Sequence, residues 1–520
     1  MRKLLLLLFL LLFSFNHPLF GDDKEITILH TNDFHSAFDP IPAYWLENSP
    51  KLGGAAYLST LIKQIKDREE TVFLFDSGDM FTGMLANLTQ GEALMEMMVT
   101  MEYDALGIGN HEFDYGIEAF KQGINRVPFP VLGANIFYKE SGEIFSRAST
   151  ILERNGIRLG VIGVIGLDAR SVILPSYVEA LDFHNPIPYV RKEVKELRPL
   201  VDVIVVLTHQ GKTGPMQTDA EARPEVQRDF DEDIKLASAV EGIDVIVSGH
   251  AHRGIEVPYV HPKTGTIIVQ TYGYGTRLGY LKLFYDGDKI TRHEGQLLKV
   301  WSDQLEPDPY VEAKIDYYKE KVDHIIGEVV GNSKARLVRD YISESSLGNF
   351  AADVIREVIG SEVAFQNAGG LRADLPEGPI TKGNVLDAFP FHNTLVSTHM
   401  TGRQIKAILE QGVSLERGLI QVSGIKAVYD LSKPINDRVI SLEIEGNPVE
   451  MSRNYSVATQ SFLSQGGDLY DTFLEVSYQD SKINLSDVVI NFIKEKKEIN
   501  LPKMGRLVSV VEKKRRNIEE

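Results

Sequence analysis

Cysteine is absent from all 520 residues, which excludes a disulfide framework, a lipid-bearing cysteine and any thiolate metal ligand. Long apolar runs are nearly as scarce. One, at residues 4–13, follows Arg2 and Lys3 and ends in a polar break through Ser14, Asn16 and His17. It is too short to span a bilayer and no second such run follows, so residues 1–21 read as a secretory signal peptide. The residues before Asp22 lack the small-x-small pattern that cleavage prefers, which leaves a retained N-terminal anchor as the alternative. Residues 513–520 form a charged tail without a hydrophobic anchor. The expected location is periplasmic or secreted, with no membrane span once the signal is removed.

Basic residues are also in deficit, 55 against 73 acidic. Residues 1–21 hold two of the bases and no acid, so the formal charge of −18 becomes −20 without them. A body this acidic does not bind nucleic acid or an anionic membrane through its general surface, and an anionic substrate needs a local attraction. No G-x-S-x-G or G-x-x-x-x-G-K-[ST] occurs, which removes support for a serine hydrolase or a P-loop enzyme. Repeats and low-complexity segments are missing too.

What is present is a folded globular composition, 43% hydrophobic and 25% charged, in a chain too long for one core. From residue 26 a rhythm begins. Apolar strands (residues 26–30, 71–75, 104–108, 131–134, 159–165, 203–207 and 245–247) alternate with helical segments, the first at 54–66, and several strands open into polar ends. Residues 267–271 and 279–285 read as further strands, with Asp286-Gly287 a hairpin signal. The pattern argues an α/β domain over residues 22–304. A charged helical segment with a Pro near its start, assigned to residues 305–326, reads as a joining helix. Residues 327–512 remain α+β and form a second, smaller domain.

Five segments carry metal-ligand residue types at strand ends: Asp33 with His35, Asp79, Asn110 with His111, His209, and His250 with His252. Singly each has an ordinary reading, a turn or a surface histidine. Five in order do not. The donors are oxygen and imidazole nitrogen, suited to Zn, Mn, Fe, Co or Ni. They are too many for one tetrahedral ion but enough for two ions sharing a carboxylate, and Asp79, alone on its loop between two pairs, is the natural bridge. Asp114, three residues past His111, is placed to hold its imidazole if the segment turns as a helix start; a helix N-cap is the alternative.

The segments HTNDFH, DSGDMFTG, GNHEFDYG, THQG and SGHAH, followed by NAGGLR and SFLSQGGD, resemble the secreted bacterial 5′-nucleotidase and UDP-sugar hydrolase family. The resemblance covers nearly the whole mature chain. It implies a four-layered α/β/β/α metallophosphoesterase sandwich followed by a substrate domain. It further implies one divalent ion on Asp33, His35, Asp79 and His252 and a second on Asp79, Asn110, His209 and His250. His111 would contact the transferring phosphoryl group, with Asp114 as its dyad partner.

In the second domain Phe391 and Phe462 match two rings that sandwich the base, Asp468 an acid on the ribose hydroxyls, and Arg339, Asn367 and Arg372 a polar set for phosphate. Arg336 is the alternative to Arg339, and a core role is the alternative for each Phe. The arginines supply the local attraction that the net charge demands. Related cyclic-nucleotide phosphodiesterases typically read HEFN where this chain reads HEFD. Several bacterial relatives carry Gln at the second histidine of GHAH, which leaves the metal open. The implied activity is hydrolysis of nucleoside 5′-monophosphates, with nucleoside di- and triphosphates or UDP-sugars as further substrates, by a monomer or homodimer. A 3′-nucleotidase or cyclic phosphodiesterase, a thiosulfohydrolase, and an idle nucleotide-binding protein are the alternatives; the intact ligand set argues against idleness.

Overall fold

The computed structural model describes residues 23–43, 46–212 and 230–510. The segments read as a signal (residues 1–21) and a charged tail (residues 513–520) lie outside the described residues. Among the described residues, twelve strands build the two main sheets of the first lobe: β1 (Lys24–Thr31), β2 (Val72–Asp76), β3 (Ala105–Gly107), β4 (Val131–Leu132), β5 (Ser149–Arg154), β6 (Ile157–Ile165), β7 (Val203–Gln210), β8 (Val245–His250), β9 (Tyr259–Val260), β10 (Ile267–Val269), β11 (Arg277–Tyr285) and β12 (Ile290–Lys299). They form two six-stranded sheets, in the orders β12-β11-β1-β2-β3-β4 and β9-β10-β8-β7-β6-β5.

The two sheets stack because their central strands are apolar on both faces. In β7, Val203, Val205 and Leu207 point into the core between the sheets, where they meet Ile26, Ile28, Phe73 and Phe75 of the first sheet. Ile204 and Val206 point outward, under the helices Pro186–Leu197 and Asp231–Ala239. On the far side Leu29 and Leu74 pack under the helix Ala55–Lys66. Period-2 alternation between two buried faces gives continuous apolar strands and a four-layered helix, sheet, sheet, helix sandwich.

The strands β1, β2, β3 and β4 run parallel, as do β6, β7, β8 and β10, so their C-terminal ends gather at one edge. Two of those ends differ from the sequence expectation. Strands β7 and β8 run on to Gln210 and His250, because their pairing continues through Thr208↔Ser248, His209↔Gly249 and Gln210↔His250. His209 and His250 therefore sit inside strands rather than beyond them.

The joining helix spans Pro309–Ile326, capped by the Asp308 side chain on the Tyr310 N–H. It is no free linker. Val311, Ile315, Tyr318 and Val322 form a buried stripe in the first lobe's core, each contributing about 1.5–3 kcal/mol of burial. Beyond it, a five-stranded sheet in the order Gln421–Ser423, Val363–Gln366, Asn454–Gln460, Thr394–Thr401, Gln479–Asn484 carries the second lobe. Among the described residues no helix is long and apolar enough to cross a membrane.

Candidate active site

The five ligand-bearing segments converge at the shared strand edge. Ligand atoms of Asp33, His35 and His252 lie within 4.8 Å of one another, and so do those of Asp79, His209 and His250. In the first group, Nε2 of His252 is 3.1 Å from Nε2 of His35 and 3.2 Å from Oδ1 of Asp33. In the second, Nε2 of His209 is 3.2 Å from Oδ2 of Asp79 and 3.1 Å from Oδ1 of Asn110. The sequence-expected ligands thus assemble as two groups, with Asp79 in the second group and close to His35 of the first.

Backbone geometry and hydrogen bonds aim these side chains. Asp33, His35, Asp79, His250 and His252 all have positive φ, between 47° and 72°. Non-glycine residues adopt that region only when the surroundings over-determine it, and it clusters at functional sites. The loops after β2 and β3 pack backbone against backbone: a Cβ on Gly109 would stand 2.5 Å from the Asp79 nitrogen. His209 Nδ1 donates to the Ser77 carbonyl at 2.7 Å, which fixes the tautomer and leaves its Nε2 lone pair toward Asp79 and Asn110.

The donor set fits divalent ions. Four imidazoles, two carboxylates and one amide oxygen crowd together almost without exposure, and the buried Nδ1 of His250 has no hydrogen-bond partner. Imidazole nitrogens facing one another at 3.1 Å are what a shared cation resolves.

His111 stands beside this cluster. It heads a short 3₁₀ turn, His111–Phe113, and its Nδ1 donates to Asp114 at 2.9 Å. The N-cap alternative for Asp114 fails, because the next helix, Ile117–Arg126, is capped at Gly116. Burial opposes charging His111, but the neighbouring Asp114 and Asp79 carboxylates outweigh it and raise its pKa. Its backbone N–H donates to Asp79 at 2.8 Å.

A cleft opens from the cluster into the second lobe, lined by Asp79, Asn110, His111, Asn367, Arg372, Phe391, Phe462 and Asp468 among others. Phe391 lies nearly parallel to the His111 ring, 5.8 Å away, and the Arg372 guanidinium sits 5.7 Å from the Phe391 ring centre. One Arg372 nitrogen, Nη2, is buried without a partner. Asn367 donates to Asp468 at 2.6 Å, and burial raises the Asp468 pKa against that bond. Asp468 also has positive φ.

Arg336 and Arg339 stand back from the cleft wall, with Arg339 near enough for its charge to add to burial in lowering the Arg372 pKa. The half-exposed Arg336 pairs with Asp374 at 2.8 Å, and the Arg339 backbone donates to the same carboxylate; neither is among the residues that line the cleft.

Sequence reading left other residues unassigned. Glu112, inside the GNHEFD motif, accepts the backbone N–H of Asp79, Met80 and Gly109 at 2.9, 2.8 and 2.7 Å, and so holds the loop of Asp79 in place. Its position beside His111 was the available signal. Val172, Leu174, Tyr177 and Tyr341 also line the cleft, from loops with no periodic signature.

Comparison with known proteins agrees with this geometry. Residues 26–254 match the family described as calcineurin-like phosphoesterase, and residues 326–475 the one described as 5′-nucleotidase, C-terminal domain. A trifunctional nucleotide phosphoesterase of Bacillus subtilis is 30% identical over 87% of this chain, although the match spans only 33% of that longer protein. The human 5′-nucleotidase is 30% identical over 93% of this chain and 90% of its own length. Among solved structures, a 5′-nucleotidase precursor from Thermus thermophilus superposes with a TM-score of 0.82 at 27% identity, covering 94% of this chain and 99% of that one. Likeness sustained through both lobes and nearly the full length of the human relative shows that this chain belongs to the 5′-nucleotidase family.

Proposed function

We propose that the protein hydrolyses nucleoside 5′-monophosphates to nucleoside and phosphate, with two divalent ions held in the cleft. The observation that supports this reading is a single cleft lined both by His35, Asp79, Asn110, His250 and His252 of the metal-type cluster and by Phe391, Phe462 and Asp468. One ion is assigned to Asp33, His35, Asp79 and His252, the other to Asp79, Asn110, His209 and His250. Divalent ions in such a site supply Lewis acidity and lower the pKa of water.

The chain's own groups do the rest. His111, protonated and held at Nδ1 by Asp114, presents its other nitrogen to the phosphoryl oxygens as charge builds on them. Arg372, with its buried unpartnered Nη2, attracts the phosphate into an otherwise acidic protein. Phe391 and Phe462 take the base between them, and Asp468, held by Asn367, accepts from the ribose hydroxyls. The two lobes correspond to residues 22–304 and 327–512, and residues 1–21 direct export to the periplasm or beyond.

The test is a substrate panel of 5′-AMP, 3′-AMP, 2′,3′-cyclic AMP, UDP-glucose and thiosulfate conjugates on metal-repleted protein. Turnover of 5′-AMP is the expected result. Activity on 3′-AMP alone, or on none of the nucleotides, overturns the reading.

A further inference from the structure

Where the two lobes touch behind the metal-type cluster, a chain of polar contacts runs from one to the other. His250 in β8 has its Nε2 3.4 Å from Oδ2 of Asp168. Asp168 lies in the short helix Leu167–Ser171 of the first lobe. Its other oxygen accepts a hydrogen bond from Arg417 Nη2 at 2.6 Å, and the same Arg417 nitrogen donates to Ser171 Oγ at 3.1 Å. Arg417 belongs to the second lobe, in the loop between the helix Gly402–Gly412 and the strand Gln421–Ser423. It is 3% exposed, and His250 is 1% exposed.

The loop that carries Arg417 is rigidly set. Leu415 and Gly418 on either side have positive φ, and the Leu419 N–H donates to the Tyr341 carbonyl at 2.7 Å. The guanidinium also feels the charge of Asp468, the acid read above as the sugar ligand. Arg417 thus lies between a carboxylate of the nucleotide side and a carboxylate that backs a metal-type histidine.

The imidazole at the other end of this chain has one engaged nitrogen and one bare nitrogen. Nε2 faces Asp168, while Nδ1 is buried without a partner, and a His250 ligand atom lies within 4.8 Å of those of Asp79 and His209. A carboxylate on the far nitrogen of a ligating histidine fixes its tautomer and orientation and raises its basicity. We propose that Asp168 and Arg417 are positioning residues for the metal centre: Asp168 holds the His250 ring with Nδ1 toward the ion, and Arg417, supplied by the nucleotide-binding lobe, holds Asp168. Affinity for the ion at His250 then depends on the second lobe being seated against the first. This inference rests on the assignment of His250 as a ligand.

The experiment titrates Co²⁺ into the full chain after chelator treatment, followed by calorimetry and by the visible Co²⁺ absorption. Wild type takes up two ions. Asp168→Ala is expected to weaken one of the two by about 10–100-fold. Arg417→Met should weaken the same ion by a smaller factor, Arg417→Lys should recover part of that loss, and the double variant should be no worse than Asp168→Ala, as residues acting in series require. Asp168→Asn, which keeps the volume, serves if the alanine variant does not fold. His250→Ala separates the two levels of the argument. If it still binds both ions as tightly as wild type, the ligand assignment fails. If it loses one ion while Asp168→Ala and Arg417→Met bind both like wild type, the positioning role is overturned and the ligand assignment stands.

Discussion

His111 touches Asp79, Asp114 and Phe391 at once, which makes it the residue that best tests the proposed phosphoryl step. If it stabilises charge without ligating metal, His111→Ala lowers kcat by about 10² to 10⁴ with both ions retained. Asp114→Asn does less damage of the same kind. Metal analysis beside the kinetics checks this, and loss of an ion would make His111 a ligand. Asp79→Asn should be the most harmful carboxylate change and should lower metal content below two ions per chain. At the other end of the cleft, stacking on a base is worth about 1–3 kcal/mol, so Phe462→Ala should raise KM for 5′-AMP roughly tenfold and spare p-nitrophenyl phosphate. A core phenylalanine costs about 3–5 kcal/mol on truncation; equal loss on both substrates with a lowered Tm would return Phe462 to the core. The metal-type residues were legible in sequence because each sits beside glycine or another polar residue at the end of an apolar run. The pairing of Arg336 with Asp374 was not legible, because a lone arginine in an irregular segment carries no sign of which way it points and its partner lies beyond any local pattern. Asp168 and Arg417 were silent too, since their contact exists only across the lobes.

At the level of elements, strand existence was readable and strand ends were not. Periodicity marks where apolar residues stop, whereas β7 and β8 stop where their mutual pairing stops, at Gln210 and His250. The helix expected at 54–66 appears almost as read, at Ala55–Lys66. One element contact gives a pH prediction. Asp387, half-buried in the helix Lys382–Ala388, accepts the Met84 N–H of the first lobe at 3.1 Å. Burial raises its pKa from 3.8 to about 6, and Asp39 adds to the rise. A carboxyl raised in this way contributes its full stability below its unfolded pKa and loses it as pH climbs through the folded value. Asp387→Asn keeps the acceptor without the charge. It should raise Tm at about pH 7.5 and leave it nearly unchanged at about pH 4, in scans at both values. An equal gain at both would refute the linkage.

Across the whole molecule, bound divalent ions would add to stability. Five residues held at positive φ and a set of facing imidazoles are costly without a cation. An ion present at about a hundred times its Kd adds roughly 2.7 kcal/mol by mass action. Chelation should therefore lower the calorimetric Tm, and Mn²⁺ or Zn²⁺ should restore it; an unchanged Tm would mean that the cluster stands without ions. The position of β1 has a further consequence, in time rather than in energy. It lies inside its sheet, parallel to β2 on one side and antiparallel to β11 on the other, with Glu25 reaching Lys282 across 257 positions. At about 5–20 residues per second of synthesis, that neighbour arrives roughly 13 to 50 s later. Until then one edge of the first strand stays open, and it is the segment that most needs protection from pairing with another chain.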